Sequence, residues 1–463
     1  MTDILVISDD VVGDLMAGPG IRAWELSRVL AGRFSVELAV PDYSPGGALL
    51  EAAPFKTRIY SLRRPAPLIE AAREARILLL QGYVLSKVPA LAGLGKVIIA
   101  DIYDPFVLEN LFNHAERHTL QNRQAIHLHD LRVANGLLLR ADHFLCASER
   151  QRDLYTGALM SLSRIDPAFM EAGPDIERLI SVVPFGIDGG DAAAAAEGGA
   201  QEPLCPGIGP SDLMLLWGGV LTPWYDPQTL LEALAIARET EPRLKLLFMS
   251  VTHPNPEIPG WDTGDGAKRF VEGSPILRDA VFFNDGWVPY AERGRYFRRA
   301  DIGVSIHRTH LETRYSFRTR MLDYIKHGCP ILCSEGDYFA DLIAREDLGV
   351  VVGSGDKDGI VRGLLALAGD EGRRAAIRAR LEKVRERFQW RDMAAPLVAW
   401  CEETLRTPPP ARPRAGSKSK DRIPVGSRSG HNKAVEIARR LLRPADGRPP
   451  SRLLLRLRRL IGR

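Results

Sequence analysis

Arg318, Arg320 and Asp323 fall close together in the stretch YSFRTRMLDYIKHGCPIL, residues 315–332. A polar and aromatic run opens a helical pattern there, and Gly328-Cys329-Pro330 closes it into an apolar strand. In an α/β sheet this layout sets two guanidinium groups and a carboxylate at one helix N-terminus. The amides and dipole of such an end favour a phosphate. Guanidinium groups fork onto phosphate oxygens, and Asp323, further into the helix, can accept from a ribose hydroxyl. The chemistry is that of a sugar nucleotide. Arg318 stands ahead of Arg320, because residues two apart on a helix diverge by about 200°. The structural alternative is that both arginines pair with Asp301 or Glu312 as buried ions.

Other chemistry-bearing residues end strand-like runs. Asp101 and Asp104 follow KVIIAD (96–101), where one of them can bind or deprotonate an acceptor hydroxyl. Asp104 can equally cap a helix beginning after Pro105. TPWYDP (222–227) offers Trp224 or Tyr225 to stack on a sugar, and THPNP (252–256) offers His253 and Asn255 to hydrogen-bond it. Pro254-Asn255-Pro256 also suits a rigid turn. Gly18-Pro19-Gly20-Ile21-Arg22-Ala23 fits the G-x-G-x-x-A pattern, but some ten residues separate it from the preceding strand, where the dinucleotide fingerprint needs a tight turn. His114 and His118 share a helix face with no third ligand, and the five scattered cysteines match no zinc spacing, so no metal site is expected.

Strand-helix alternation must position these groups. ILVIS (4–8), SVELAV (35–40), RILLL (76–80), KVIIAD (96–101), HFLCAS (143–148) and LISVVP (near 180–185) read as strands with helical patterns between most of them. The pattern restarts with LMLLWGG (213–219), LKLLFMS (244–250), VFFN (281–284), DIGVSI (301–306), PILCS (330–334) and GVVV (349–352). Helices are expected over 226–239 and 388–405. The fold class is α/β, with two Rossmann-like, doubly wound parallel-sheet domains facing a cleft. The expected divisions are 1–185, a Gly/Ala/Pro-rich linker at 186–212, 213–405, and a basic tail at 406–463.

Charge is unevenly spread. Residues 406–463 carry 17 Lys and Arg against three acidic residues, +14, so the rest of this +4 chain carries −10. The tail is expected to be mostly disordered apart from 433–443 and an amphipathic helix at 451–463, which would meet an anionic membrane surface. No specific nucleic-acid contact is expected. The odd, scattered cysteines imply a reducing compartment. The acidic start MTDILVISDD does not read as a signal peptide and no apolar run reaches membrane-spanning length, so the chain is expected to be cytoplasmic, peripheral on the membrane at most.

Three segments together resemble the family 4 (group 1) glycosyltransferases, which have the GT-B fold. They are MAGPGIRAWELSRVL (16–30); ADHFLCASERQRDLY (141–155) with VVPFGID (182–188); and FNDGWVPYAERGRYFRRADIGVS (283–305) with 315–332. The resemblance implies transfer of a hexosyl-type sugar from a nucleotide donor, UDP- or GDP-linked, with retention and without a required metal or other cofactor. It implies a lipid-linked or saccharide acceptor. It sets Gly18, Gly20 and Arg22 at the cleft near donor phosphates, and Trp287-Val288 where backbone groups meet the base. Tyr315, Ser316 and Phe317 fall in the donor loop.

The chain also departs from the family. Asp323 stands where the second of two spaced glutamates is common, and Tyr315 where the first is. Phe317-Arg318 replaces Phe-Gly. WGGVLTPWYDP (217–227) lacks the usual Arg/Lys pair, and DIYDPF (101–106) lacks a His. Arg318 and Arg320 would restore the missing charge. The alternatives are a non-catalytic GT-B module that binds a sugar nucleotide or serves as a scaffold, and a sugar-nucleotide epimerase.

Overall fold

The computed structural model of the chain describes residues 2–113, 118–188, 204–258 and 260–407. His114, much of the expected linker, and the tail helices at 433–443 and 451–463 lie outside the described residues. The chain divides into Met1–Pro409 and Pro410–Arg463, and the account below concerns the first of these.

Seven strands build the first sheet: β1 (Thr2–Ile7), β2 (Val36–Pro41), β3 (Lys56–Tyr60), β4 (Ala75–Gln81), β5 (Val97–Asp101), β6 (His143–Cys146) and β7 (Ile180–Val182). Their order is β3-β2-β1-β4-β5-β6-β7, all parallel, with Val6 opposite both Leu38 and Leu79. Six more build the second: β8 (Leu213–Trp217), β9 (Leu244–Phe248), β10 (Val281–Phe283), β11 (Ile302–Ser305), β12 (Ile331–Ser334) and β13 (Gly349–Val352), in the order β10-β9-β8-β11-β12-β13. The fold is GT-B. Central strands such as ILVI in β1 and LMLLW in β8 are buried on both faces, which is why they read as continuous apolar runs rather than alternating ones. The strand order reverses between β1 and β4 and again between β8 and β11. Loops diverge at such switch points and leave a crevice for ligand at the strands' carboxyl ends.

β3 was not expected. Its sequence KTRIY packs only Tyr60 fully, because an edge strand is supported from one side and needs little apolar pattern. The expected helix at 388–405 is broken into Trp390–Met393 and Ala395–Arg406, with Pro396 in the first turn of the second piece. That piece returns to the first sheet. Trp400 stacks on His143 with ring centroids 4.3 Å apart, and Arg76 Nη2 donates to the Leu405 carbonyl at 2.5 Å.

The two crossings between domains are bonded to each other. Ile187 N–H donates to Phe388 O at 2.6 Å, and Trp390 N–H donates to Ile187 O at 3.2 Å. A Cβ at Gly186 would come within 2.5 Å of the Trp390 Cα, so the close approach requires glycine. Residues 186–188 were expected to begin a linker; they are held in register by this pairing, with Phe185 and Ile187 in the apolar core that joins both domains.

Candidate active site

A cavity of about 260 Å³ lies in the cleft, lined from the first domain by Gly18 and Pro19, from the crossing by Gly186–Asp188, and from the second domain by five loops and helix ends. Gly18 and Pro19 begin the Gly18–Ala31 helix, whose N-terminal amides face the cleft. A Cβ on Gly18 would lie 3.8 Å from Thr319 Oγ1 across the cleft.

Three cations line this cavity: Arg293, Arg320 and Lys326. Arg320 is 8% exposed. Its guanidinium lies 4.2 Å from the Tyr225 ring centroid and 5.0 Å from that of Trp217, and Nη2 donates to Val220 O at 3.2 Å. Nη1 is buried without a partner. The loop beneath it is Gly218-Gly219-Val220. Gly219 has φ +118°, which a side chain there would strain. Arg320 brings a guanidinium to this loop from the neighbouring element.

Arg293 Nη2 is 2.5 Å from Asp323 Oδ2, and its Nε is buried without a partner. Lys326 is paired with Asp188. Burial raises the Asp323 carboxyl while Arg293 and Lys326 pull it back. His253 lines the same cavity and its Nδ1 accepts from the Asn255 N–H at 3.1 Å, which leaves the proton on Nε2. Burial lowers its pKa to about 4, so it is a neutral donor at physiological pH. Trp287 lies 5.8 Å from His253 between ring centroids, with Nε1 buried and unpartnered.

A second cavity, about 390 Å³, opens in the first domain and shares Pro19 with the cleft cavity. Asp9, Asp10, Asp101, Asp104 and Glu257 line it beside Tyr43, Tyr83, Tyr103 and Phe106. Asp104 is pushed up to about 6, by burial first and by Glu312, Asp101 and Asp10 next. Glu109, hydrogen-bonded to Asp104, is raised well above the usual carboxylate range by burial and by Asp104 itself. Burial and mutual repulsion raise both carboxyls, so the pair favours sharing a proton, and Asp104 is a carboxyl placed to exchange one.

Several expected site residues are elsewhere. Arg318 does not reach the cleft cavity. It is buried between Glu312 at 3.0 Å and Asp337 at 3.2 Å, 5.0 Å from the Tyr225 ring, so it is a structural ion. It precedes the Arg320–Lys326 helix instead of lying in it, so helical spacing does not describe its direction. Arg22 is fully buried and forks onto Asp101, Nε to Oδ2 at 2.6 Å and Nη2 to Oδ1 at 2.9 Å. That pair removes Arg22 from the phosphates and neutralises Asp101, which also accepts from Gln81 Nε2 at 3.0 Å, so Asp101 is no base. Gly20 is a packing glycine: its Cβ would sit 2.0 Å from Val11 O.

Val288 belongs to the core, and Trp224 packs on Tyr225 with ring centroids 6.0 Å apart, outside both cavities. Phe317 sits among Phe185, Tyr338 and Phe339. Ser316 Oγ donates to Thr313 O at 3.1 Å, and the Tyr315 carbonyl accepts from Gln151 Nε2 at 2.8 Å; neither lines either of these two cavities. Asn255 bridges the domains, Nδ2 donating to Asp10 Oδ1 at 2.6 Å, and lines the second cavity instead of holding donor sugar. The cleft does collect Gly18, His253, Trp287, Arg320 and Asp323. Arg293, Lys326 and Asp188 were missed; Arg293 lies in the arginine-rich run ERGRYFRR, a signal that was present in the sequence.

Among known families, residues 230–399 match the one described as glycosyl transferase-like. No curated protein matches the chain by sequence. Among solved structures, HepE of Anabaena in complex with UDP-glucose superposes with a TM-score of 0.59 at 14% identity, over 88% of this chain and 100% of that one. WaaG, a glycosyltransferase involved in lipopolysaccharide biosynthesis, gives 0.57 at 14% identity, over 88% and 100%. Sucrose-phosphate synthase from Thermosynechococcus elongatus gives the same four figures, 0.57, 14%, 88% and 100%. At these identities the likeness is one of fold. Arg293, Arg320 and Lys326, the lysine and arginines that line the cleft cavity, all fall within the matched segment. Among the described residues no helix is long and apolar enough to cross a membrane, and no group of His, Cys, Asp and Glu is arranged to hold a metal ion.

Proposed function

We propose that the chain transfers a hexosyl group from a nucleoside diphosphate sugar to a saccharide acceptor, free or lipid-linked, with retention at the anomeric carbon. The observation that carries this reading is the adjacency of two unlike cavities. One holds Arg293, Arg320 and Lys326, and the other holds Asp104 among aromatic rings, with Pro19 common to both. Cations on one side stabilise the diphosphate as charge builds on it. Asp104 on the other takes the acceptor proton.

Arg320 Nη1 and the start of the Gly18–Ala31 helix are the groups assigned to phosphate oxygens. Asp323 Oδ1, with its partner oxygen held by Arg293, is assigned to a ribose hydroxyl, and Trp287 to the nucleoside end. The carboxylates lining the cleft are Asp188 and Asp323, each held by a cation. Both are poor nucleophiles in that state, which argues against a covalent carboxylate intermediate. HepE and the trehalose-6-phosphate enzyme from E. coli, bound to UDP-glucose and to UDP-2-fluoro glucose, support a uridine donor. The same ion pairs also suit a binding-only module. Incubation with labelled UDP- and GDP-sugars separates the readings: release of nucleotide with transfer supports the enzyme, saturable binding without turnover the module, and donor isomerisation an epimerase. Proton NMR of the first product formed reads the anomer.

A further inference from the structure

The cavity in the first domain has a one-sided hydrogen-bonding character. Asp10 is 5% exposed, and its Oδ1 accepts from the Val11 N–H at 2.8 Å and from Asn255 at 2.6 Å, but Oδ2 has no partner. Gln81 is buried beside it. Its amide orientation is set by donation from Nε2 to Asp101, and its Oε1 has no partner. Both residues line the cavity. A buried acceptor left unmade costs about 1–3 kcal/mol, so two in one cavity point to a ligand that supplies donors.

Several of the donors that the lining possesses are already engaged. Tyr43 Oη donates to Asp9 O at 3.0 Å, Tyr83 Oη to Asp130 at 2.9 Å, and Lys87 Nζ to Asp9 at 2.9 Å. The charge balance agrees. Arg22 pairs with Asp101 and Lys87 with Asp9, and among the described residues Asp10, Asp104 and Glu257 have no ion pair of their own. Burial pushes Asp10 up to about 6, outweighing the Val11 and Asn255 hydrogen bonds and the Lys87 charge that pull it down. The rings of Tyr43, Tyr83, Tyr103 and Phe106 give the apolar walls that the C–H faces of a pyranose need.

We infer that the acceptor enters this cavity as a hydroxyl- or ammonium-bearing sugar with no phosphate or carboxylate on the ring that is bound. The inference rests on the glycosyl-transfer reading for the word acceptor, but the preference itself is a binding property of the cavity. A phosphate would bring only acceptor oxygens and negative charge to a wall that already has both, and like-charge juxtaposition in a partly desolvated site is strongly disfavoured. Asn255, from the second domain, covers Asp10, so the sugar is met by both domains.

The test uses the full chain, with binding read by ligand-observed NMR against a panel of monosaccharides. Each sugar is presented in neutral, 2-amino, 6-phospho and uronic forms. The neutral and amino forms should bind about a hundredfold tighter than their anionic counterparts. Asp10→Asn should narrow that gap to about tenfold. Glu257→Gln, at an exposed position that tolerates change, should narrow it as well. Anionic forms that bind as well as neutral ones, no binding by any form, or a gap unmoved by both substitutions would overturn the inference. Donor hydrolysis measured in parallel reads the glycosyl-transfer proposal separately, so either can fail while the other stands.

Discussion

Arg320 is the residue on which the donor site turns, and Arg320→Met is the sharpest perturbation of it. Methionine keeps the apolar stem that packs on Tyr225 and Trp217 and removes only the charge. Among the described residues Arg320 has no carboxylate in ion-pair range, and Nη1 is a buried donor without a partner. Losing the cation–π contacts costs about 1–2 kcal/mol, and removing an uncompensated buried charge returns a similar amount. The unliganded variant should therefore melt within a few degrees of wild type. Binding and turnover should change far more. One or two charge-assisted hydrogen bonds to phosphate are worth about 1.5–3 kcal/mol each, and electrostatic stabilisers of this kind typically cost about 2.7–4 kcal/mol in the transition state when lost. The expected drop in kcat is about a hundred- to a thousandfold, with a smaller rise in donor KM, because the interaction strengthens as the leaving diphosphate gains charge. Arg320→Lys should recover only part of the rate, since a point charge lacks the fork. Initial rates with the best donor, together with thermal melts with and without nucleotide, give all three readings. If Arg320→Met melts well below wild type and keeps its kcat, the guanidinium is a packing element and the diphosphate assignment is wrong.

Arg318→Met should do the reverse: it strands buried Glu312 and Asp337, and urea unfolding should show a loss of about 3–5 kcal/mol. If Asp104 is the base, log kcat/KM should climb with unit slope up to about pH 6 and level off above it, and Asp104→Asn should lower the plateau by about a hundredfold or more; an unchanged plateau would remove Asp104 from the chemistry. Glu25 is raised to about 7, by burial first, so its protonated form is favoured in the fold and wild type loses stability as pH rises from the unfolded value through 7. Glu25→Gln should escape that loss, and its advantage over wild type should grow between pH 4.5 and pH 8 towards about 3 kcal/mol at about 1.4 kcal/mol per pH unit, read by urea unfolding at both pH values. The +14 charge of residues 406–463 predicts that the full chain floats with phosphatidylserine vesicles and that a chain ending at residue 407 does not, at about 1 kcal/mol per basic group near the surface; equal flotation of both would refute it.

Local pattern carried most of the architecture. Every strand except β3 was readable, because a parallel sheet covered on both faces demands unbroken apolar runs such as LMLLW and ILCS, and these stand out between amphipathic stretches. From the alternation alone a parallel, doubly wound sheet and a ligand cleft at the strand ends follow. The glycine at position 18, the turn at His253, Trp287 and the Arg320–Asp323 spacing all reached the cleft, since each lies in a loop or helix start that the fold must place at the carboxyl edge.

The partner of each charge was decided only in three dimensions. Arg318 and Arg320 are two residues apart, yet Glu312 and Asp337 capture the first while the second hangs over a loop about a hundred residues earlier in the chain. Arg22 is claimed by Asp101 across 79 residues, which removed an expected phosphate ligand and an expected base together. Arg293 and Lys326 joined the cleft, each bringing its own carboxylate. Secondary structure is written in near-neighbour spacing, so sequence alone can determine it. An ion pair forms wherever packing brings opposite charges together out of water, and chain separation does not constrain that meeting. The sequence therefore told which residues could do chemistry and on which edge they lie, and tertiary packing chose which of them remain available to a ligand.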